Sequence, residues 1–174
     1  GFTFSYSCGQ EVTPQGEFSG ITIGKFSMFH FFNKSIETAL NIVGNKLHDI
    51  GYRGNFDIDF VAGADGNLYI LECNARMTGG THVHDVIFHL KINIEQGSYI
   101  FSNDSYRYGE KVQPSEEVLH SLSGLLYPIH EEKRGVIISF MSSSRPVIGI
   151  IVVGKDSDDT RSLTEQVKSS LETH

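Results

Sequence analysis

Two apolar-rich runs, Asn55-Phe56-Asp57-Ile58-Asp59-Phe60-Val61 and Leu68-Tyr69-Ile70-Leu71-Glu72-Cys73-Asn74-Ala75-Arg76, flank the dipeptide Asp65-Gly66. No other stretch restricts the fold as tightly. An Asp-Gly pair between such runs is the strongest short-range hairpin signal, because both central residues of a type I′ turn need positive φ. With Asp65 and Gly66 as the loop, Ala64 faces Asn67, and counting outward sets Val61 opposite Ile70, Asp59 opposite Glu72 and Asp57 opposite Asn74. Side chains alternate with period two, so all six share one face, and opposed Cβ atoms lie about 4.5–5.5 Å apart.

Like charges directly opposite destabilise a hairpin, so Asp59 beside Glu72 is best explained by a hard cation between them. Magnesium takes oxygen ligands, keeps several waters and is usually held by one or two carboxylates plus substrate phosphates. Arg76 continues the same face beyond Asn74, where a guanidinium can grip phosphate bidentately. An isolated strand carboxylate is usually a solvated outer-face residue. Here the register, the residue types and the following Arg and Gly-Gly agree with one another.

Asp59, then Glu72-x-Asn74-x-Arg76 at the end of the next strand, then Gly79-Gly80-Thr81-His82, resembles the C-terminal half of the ATP-grasp superfamily. Arg76-Met77-Thr78-Gly79-Gly80-Thr81-His82 looks most like its peptide and carboxylate–amine ligase branch. The resemblance spans residues 35–95. It implies that Asp59, Glu72 and Asn74 hold magnesium, or manganese, on the phosphates of ATP. It further implies that Arg76 contacts the transferred phosphoryl group or the substrate carboxylate, that Leu71 lies under adenine, and that Gly79, Gly80, Thr81 and His82 border the substrate. The branch more often has glycine where this chain has Asp57, whose share in the metal site stays open.

Composition narrows the function classes. The 174 residues suffice for a sizeable core, and 39% hydrophobic with 20% charged residues is ordinary globular protein. A formal net charge of -7 with no clustered Lys or Arg argues against nucleic-acid binding. With no run of about 18 apolar residues and no secretory leader, neither a membrane span nor export is expected, and the expected location is cytoplasmic. Cys8 and Cys73 lack metal-ligand spacing and read as reduced thiols, with Cys73 expected in the core behind the hairpin face. The chain starts at Gly1 and shows neither a glycine-rich lid loop nor paired lysines, so it reads as a fragment that works with a missing N-terminal half.

The rest of the chain sorts by pattern. Phe2-Thr3-Phe4-Ser5-Tyr6 and the glycine-punctuated Gly16 to Gly24 suggest short strands and loops, with Gln10, Glu11 and Lys25 as surface residues. Ile36, Ala39, Leu40, Val43, Leu47 and Ile50 predict a helix capped by Asn33 or Ser35 and stopped by Gly51. A second helix is expected from Thr81, with Val83, Val86, Ile87 and Leu90 inward, its glycine-opened N-terminus offering an anion site for the substrate carboxylate or acyl phosphate. His82, His84 and His89 lack tetrahedral zinc spacing. Residues 97–114 read as a loop, Ser115 as the cap of a short helix, and Gly135 to Met141, Pro146 to Val153 and Asp158 to Thr173 as strand, strand and helix.

The expected class is α+β. Residues 1–127 form an ATP-grasp C-terminal portion, an antiparallel sheet with packed helices, and residues 128–174 a small strand-strand-helix appendage. The expected activity is ATP-dependent joining of a small-molecule carboxylic acid to an amine through an acyl phosphate, with this segment alone inactive and a homodimer left open. The alternative is a non-catalytic ATP-grasp-like nucleotide-binding or scaffold module; a carboxylase or phosphate-transferring synthetase on the same fold is a further enzyme reading.

Overall fold

A computed structural model describes residues 2–24, 29–94 and 97–172, the side chains of 29–33 excepted. Lys25 lies outside them. The elements run β1 (Gly9–Val12), β2 (Phe18–Ile23), α1 (Phe29–Asp49), β3 (Asp57–Ala62), β4 (Leu68–Asn74), α2 (Thr81–His89), β5 (Tyr99–Arg107), α3 (Ser115–Ser121), β6 (Gly135–Met141), β7 (Val147–Gly154) and α4 (Ser157–Glu172). Five strands form one antiparallel sheet in the order β1-β2-β5-β7-β6, and β3 pairs with β4 as a separate hairpin.

The core follows from β7. Its run Val-Ile-Gly-Ile-Ile-Val-Val-Gly does not alternate with polar residues, which is the signature of a strand buried on both faces. Ile148, Ile150 and Val152 pack with Val118, Leu122, Leu163, Val167 and Leu171 on the α3/α4 side. Ile151 and Val153 point the other way, among Ile21, Ile23, Val83, Ile87 and Ile100 on the α2 side. Each such fully buried aliphatic side chain contributes about 1.5–3 kcal/mol of transfer free energy. The stripe Leu163, Val167, Leu171 holds α4 down, and its first turn is capped by Asp156, whose Oδ1 accepts from the backbone N–H of Asp158 (3.0 Å) and Asp159 (2.8 Å).

Several expectations are corrected. Residues 97–114 are not one loop, because Tyr99–Arg107 forms β5, the strand between β2 and β7. Its polar middle, Ser102-Asn103-Asp104-Ser105, hides the pattern. Ser102 is nevertheless buried, its hydroxyl accepting from the backbone N–H of Ile21 at 3.1 Å. Helix α1 begins at Phe29, so Asn33 and Ser35 lie inside it and do not cap it. Residues 2–8 form no strand. Strands β6 and β7 with α4 make the expected strand-strand-helix unit, and β7 joins it to β5 in the same sheet across position 127/128.

The hairpin stands apart from this sheet and touches α1 through β4. Its loop is not the two-residue turn expected at Asp65-Gly66. Gly66 N–H donates to Gly63 O (3.0 Å), Gly63 N–H to Asn67 O (2.8 Å), and Gly66 alone in the loop has positive φ (79°). This is a type I turn followed by a left-handed glycine. The pairing near the turn is therefore displaced by one, with Phe60 opposite Ile70 and Val61 opposite Tyr69 rather than Ile70. A β-bulge past Ile70 takes up Leu71 and restores Asp59 opposite Glu72 and Asp57 opposite Asn74.

Candidate functional site

The hairpin face presents Asp57, Asp59, Glu72 and Asn74 in the register above, and a polar network ties them together. Asp59 is held from both sides. Gln10 Nε2 donates to its Oδ1 at 2.8 Å, and Asn74 Nδ2 to its Oδ2 at 3.3 Å. Arg76 in turn donates from Nη2 to Asn74 Oδ1 (2.9 Å) and from Nη1 to the carbonyl of Met77 (3.1 Å). Burial, then the negative charges of Asp57 and Glu72, push the Asp59 acid above the usual carboxylate range, against the pull of the Asn74 bond and the Arg76 charge. Asp57 Oδ1 is buried without a hydrogen-bond partner.

Gln10 was not legible as part of the site. It lies on β1, in the main sheet, and reaches across 49 residues of sequence to the hairpin. Tyr6 and Cys8 were missed too. Burial, then Asp57 and Asp59, push the Cys8 thiol up to about 11. Burial and then Cys8 push the Tyr6 phenol up to about 12, hydrogen bonds with Thr81 and Thr78 lower it, and Asp57 raises it further. The segment before β1 thus lies between the hairpin and the start of α2. Cys73, expected in the core, is exposed, because the back of the hairpin does not pack on the sheet.

Leu71 is 66% exposed at the bulge, beside half-exposed Val61, Tyr69 and Ile70. Gly79 and Gly80 open α2 as expected, and packing explains the second glycine. A Cβ on Gly80 would come within 2.8 Å of the Tyr6 hydroxyl and 3.2 Å of Ile21 Cδ1. Within the turn, Thr78 N–H donates to Thr81 Oγ1 (3.0 Å) and Thr81 N–H to Thr78 O (3.0 Å). Those two donors are spent within the turn, so any anion at this helix start would rely on the amides that follow Thr81. His82 Nε2 stands 3.5 Å from Asp104 Oδ1 on β5. His84 stacks on Tyr6 (centroids 4.6 Å apart), and His89 Nδ1 meets the Asp85 carbonyl at 2.8 Å.

Among the described residues, no group of three or more His, Cys, Asp and Glu side chains is placed to hold a metal by itself. Asp59, Glu72 and Asn74 offer two carboxylates and one amide. That donor set is hard, is short of a full octahedron, and fits a magnesium ion that shares its ligands with phosphate oxygens and water. The orphaned Asp57 oxygen and the crowded Asp59 carboxyl fit the same assignment, since the Arg76 charge only partly offsets the burial and the neighbouring negative charges that raise the Asp59 acid.

No protein-family model matches the chain. Over 77 residues, 44% of its length, it is 30% identical to the L-propargylglycine–L-glutamate ligase of Streptantibioticus cattleyicolor, and it covers 15% of that protein. Among solved structures it is similar to the phosphoribosylaminoimidazole carboxylase ATPase subunit from Aquifex aeolicus, with a TM-score of 0.53 and 14% identity, over 97% of this chain and 51% of that one. The chain thus spans about half of that structure and a small part of the ligase. The ligase likeness goes with the ATP-grasp resemblance read from the sequence, and the likeness to the solved structure shows the fold, an α+β arrangement with an antiparallel sheet and packed helices.

Proposed function

We propose that this segment is the metal-and-phosphate part of an ATP-dependent carboxylate–amine ligase that works through an acyl phosphate. The observation that carries the reading is the hairpin register, which sets Asp59 against Glu72 and Asp57 against Asn74 and leads directly to Arg76 and the Gly79-Gly80 turn. A magnesium ion on Asp59, Glu72 and Asn74 would supply charge neutralisation at the β- and γ-phosphates. To bind it, the Asn74 amide must turn its oxygen from Arg76 toward Asp59, which frees the Arg76 guanidinium. Arg76 then stabilises charge on the moving phosphoryl group as the carboxylate attacks, and the amides at the start of α2 hold the acid. Leu71, with half-exposed Ile70 beside it, offers an apolar surface to adenine.

The relative's name specifies L-propargylglycine and L-glutamate, so amino acids are the first substrates to assay. A cytoplasmic setting goes with this reading: Cys8 and Cys73 are free thiols, and no described helix is long and apolar enough to cross a membrane. The test is phosphate release by the full-length protein with magnesium-ATP and pairs of amino acids. Release that requires both acid and amine supports a ligase. Nucleotide binding with no release under any pair would favour the non-catalytic module.

A further inference from the structure

Strand β5 breaks its own pattern at Ser102-Asn103-Asp104-Ser105. The pairing with β7 shifts between Asn103 and Tyr106, and Ser105 N–H turns back to Asn103 Oδ1 at 2.8 Å. Such a bulge bends a strand locally and re-aims a side chain. Here the side chain is Asp104, and the target is His82 in the first turn of α2. Asp104 Oδ1 is 3.5 Å from His82 Nε2, and its Oδ2 is 3.5 Å from where a Cβ on Gly79 would stand. Oδ1 is buried and makes no hydrogen bond, so His82 is the donor within reach. Burial raises the Asp104 acid, and the charge of His82 lowers it. The His82 side chain is 43% exposed, against 26% for Asp104, so the imidazole is the member of the pair that substrate can meet.

A carboxylate that takes the Nε2–H of an imidazole fixes the tautomer and leaves Nδ1 as the basic nitrogen. We propose that Asp104 is a positioning residue for His82, and that His82 Nδ1 accepts the proton which the attacking amine must lose. This rests on the ligase reading. An amine at neutral pH arrives as an ammonium ion with no lone pair to give. Once its proton has passed to His82, nitrogen bonds to the acyl carbon, the bond from that carbon to the phosphoryl oxygen breaks, and inorganic phosphate leaves with the second proton that the nitrogen sheds on becoming an amide. The other polar groups around this turn are poor acceptors for that proton. The Arg76 guanidinium has no lone pair to offer, His84 pairs with Asp85 at 3.6 Å, and the Tyr6 phenol, pushed up to about 12, stays protonated.

Nitrogen-15 NMR of the histidine rings in this chain tests the positioning. Neutral His82 should carry its proton on Nε2, Asp104→Ala should shift it toward a tautomer mixture, and Asp104→Glu should restore it. A proton on Nδ1, or a ring unaffected by Asp104→Ala, overturns the pairing. In the full-length protein, hydroxylamine is the probe that needs no base, because it is already neutral near pH 7. With L-glutamate as acid, Asp104→Ala should keep hydroxamate formation within about twofold of the unsubstituted protein. Amide formation with L-alanine should fall about 10- to 100-fold, a part of the ~10²–10⁴ that a positioned general base contributes. If Asp104→Ala does not fold, Asp104→Asn, whose amide can donate to the ring and so releases the tautomer, should give the same split. Equal losses with both nucleophiles overturn the proton-acceptor role. No hydroxamate from the unsubstituted protein, with the Nε2–H signature intact, overturns the ligase reading and keeps the pairing.

Discussion

Removing the negative charge of Glu72 should stabilise the metal-free hairpin. Glu72 lies directly opposite Asp59, and among the described residues no hydrogen bond holds its carboxylate in place, whereas Asp59 accepts from both Gln10 and Asn74. Glu72→Gln therefore deletes a repulsion and little else. Opposed like charges cost about 0.2–1 kcal/mol, and because hairpins can open without global unfolding, the effect belongs to local opening. Native-state hydrogen exchange of the β3 and β4 amides is the assay, and the gain corresponds to about 1.4- to 5-fold greater protection. Asp59→Asn is the informative contrast. An asparagine can accept from only one of the two amide groups that now point at Asp59, so one hydrogen bond, worth about 0.5–1.5 kcal/mol, is lost against the relief of repulsion, and the net change should be near zero. The pH dependence follows from the raised Asp59 acid. Its folded value lies above its unfolded one, so the associated stability is fully present below the ordinary carboxylate range and is lost as pH rises through the raised value. The advantage of Glu72→Gln should accordingly shrink on acidification as Asp59 becomes neutral. A destabilised hairpin in Glu72→Gln, or a gain that persists when Asp59 is protonated, would show that Glu72 has a favourable partner and that the two carboxylates do not repel.

Arg76→Lys in the full-length protein should lower kcat at least about 10-fold, since lysine lacks the planar fork, while unfolding stays within about 0.5 kcal/mol of the unsubstituted protein at so exposed a site. Steady-state kinetics and urea melts check the two halves. Arg134 and Asp159 form a bidentate pair at 2.6 and 3.1 Å that pins the segment before β6 to α4, each side chain about one-fifth exposed. Arg134→Met should cost about 1–2 kcal/mol, or about 2–8 °C in Tm. The Arg134 bond holds the Asp159 acid low, so this contribution is present above the ordinary aspartate range and disappears as pH falls through the lowered value. Gly20→Ala would drive a Cβ into the backbone carbonyl of Ser102 where β2 meets β5, and should destabilise by about 1–3 kcal/mol or more. Gly124→Ala, with nothing within 4 Å, is the near-neutral control in the same calorimetric series.

The hairpin and its charged register were legible in the sequence, although two local irregularities of the hairpin cancel in the spacing. The loop is one residue longer than a type I′ turn, and the bulge at Leu71 adds one residue to the opposite strand. Sequence spacing reports the sum of such insertions and not their places, which is why Asp59 and Glu72 came out paired while Val61 was set against the wrong neighbour. The helical stripe of α4 and the apolar strand β7 were legible because period and burial coincide there. Strand β5 was hidden for a physical reason: its polar residues serve a buried hydroxyl contact and a bulge that reaches His82, and neither leaves a periodic trace. Gln10 and Tyr6 escaped because a hydrogen bond or packing contact between distant segments has no local signature. Cys73 was misplaced by the assumption that the rear of every hairpin is covered.

The place of β7 in the sheet has a consequence for how the chain is made. Val147–Gly154 lies between β5 and β6 in space but follows both in synthesis. Until it leaves the ribosome, β5 keeps an unpaired edge, Ile21 and Ile100 lack Ile151 and Val153 of their cluster, and Leu122 lacks Ile148, Ile150 and Val152 of its own. Unpaired edges and transiently bare apolar surface are what holdase chaperones bind and what aggregates grow from. A nascent chain stalled just before Val147 should therefore be retained by chaperones, and one released a few residues beyond Leu171 should escape them.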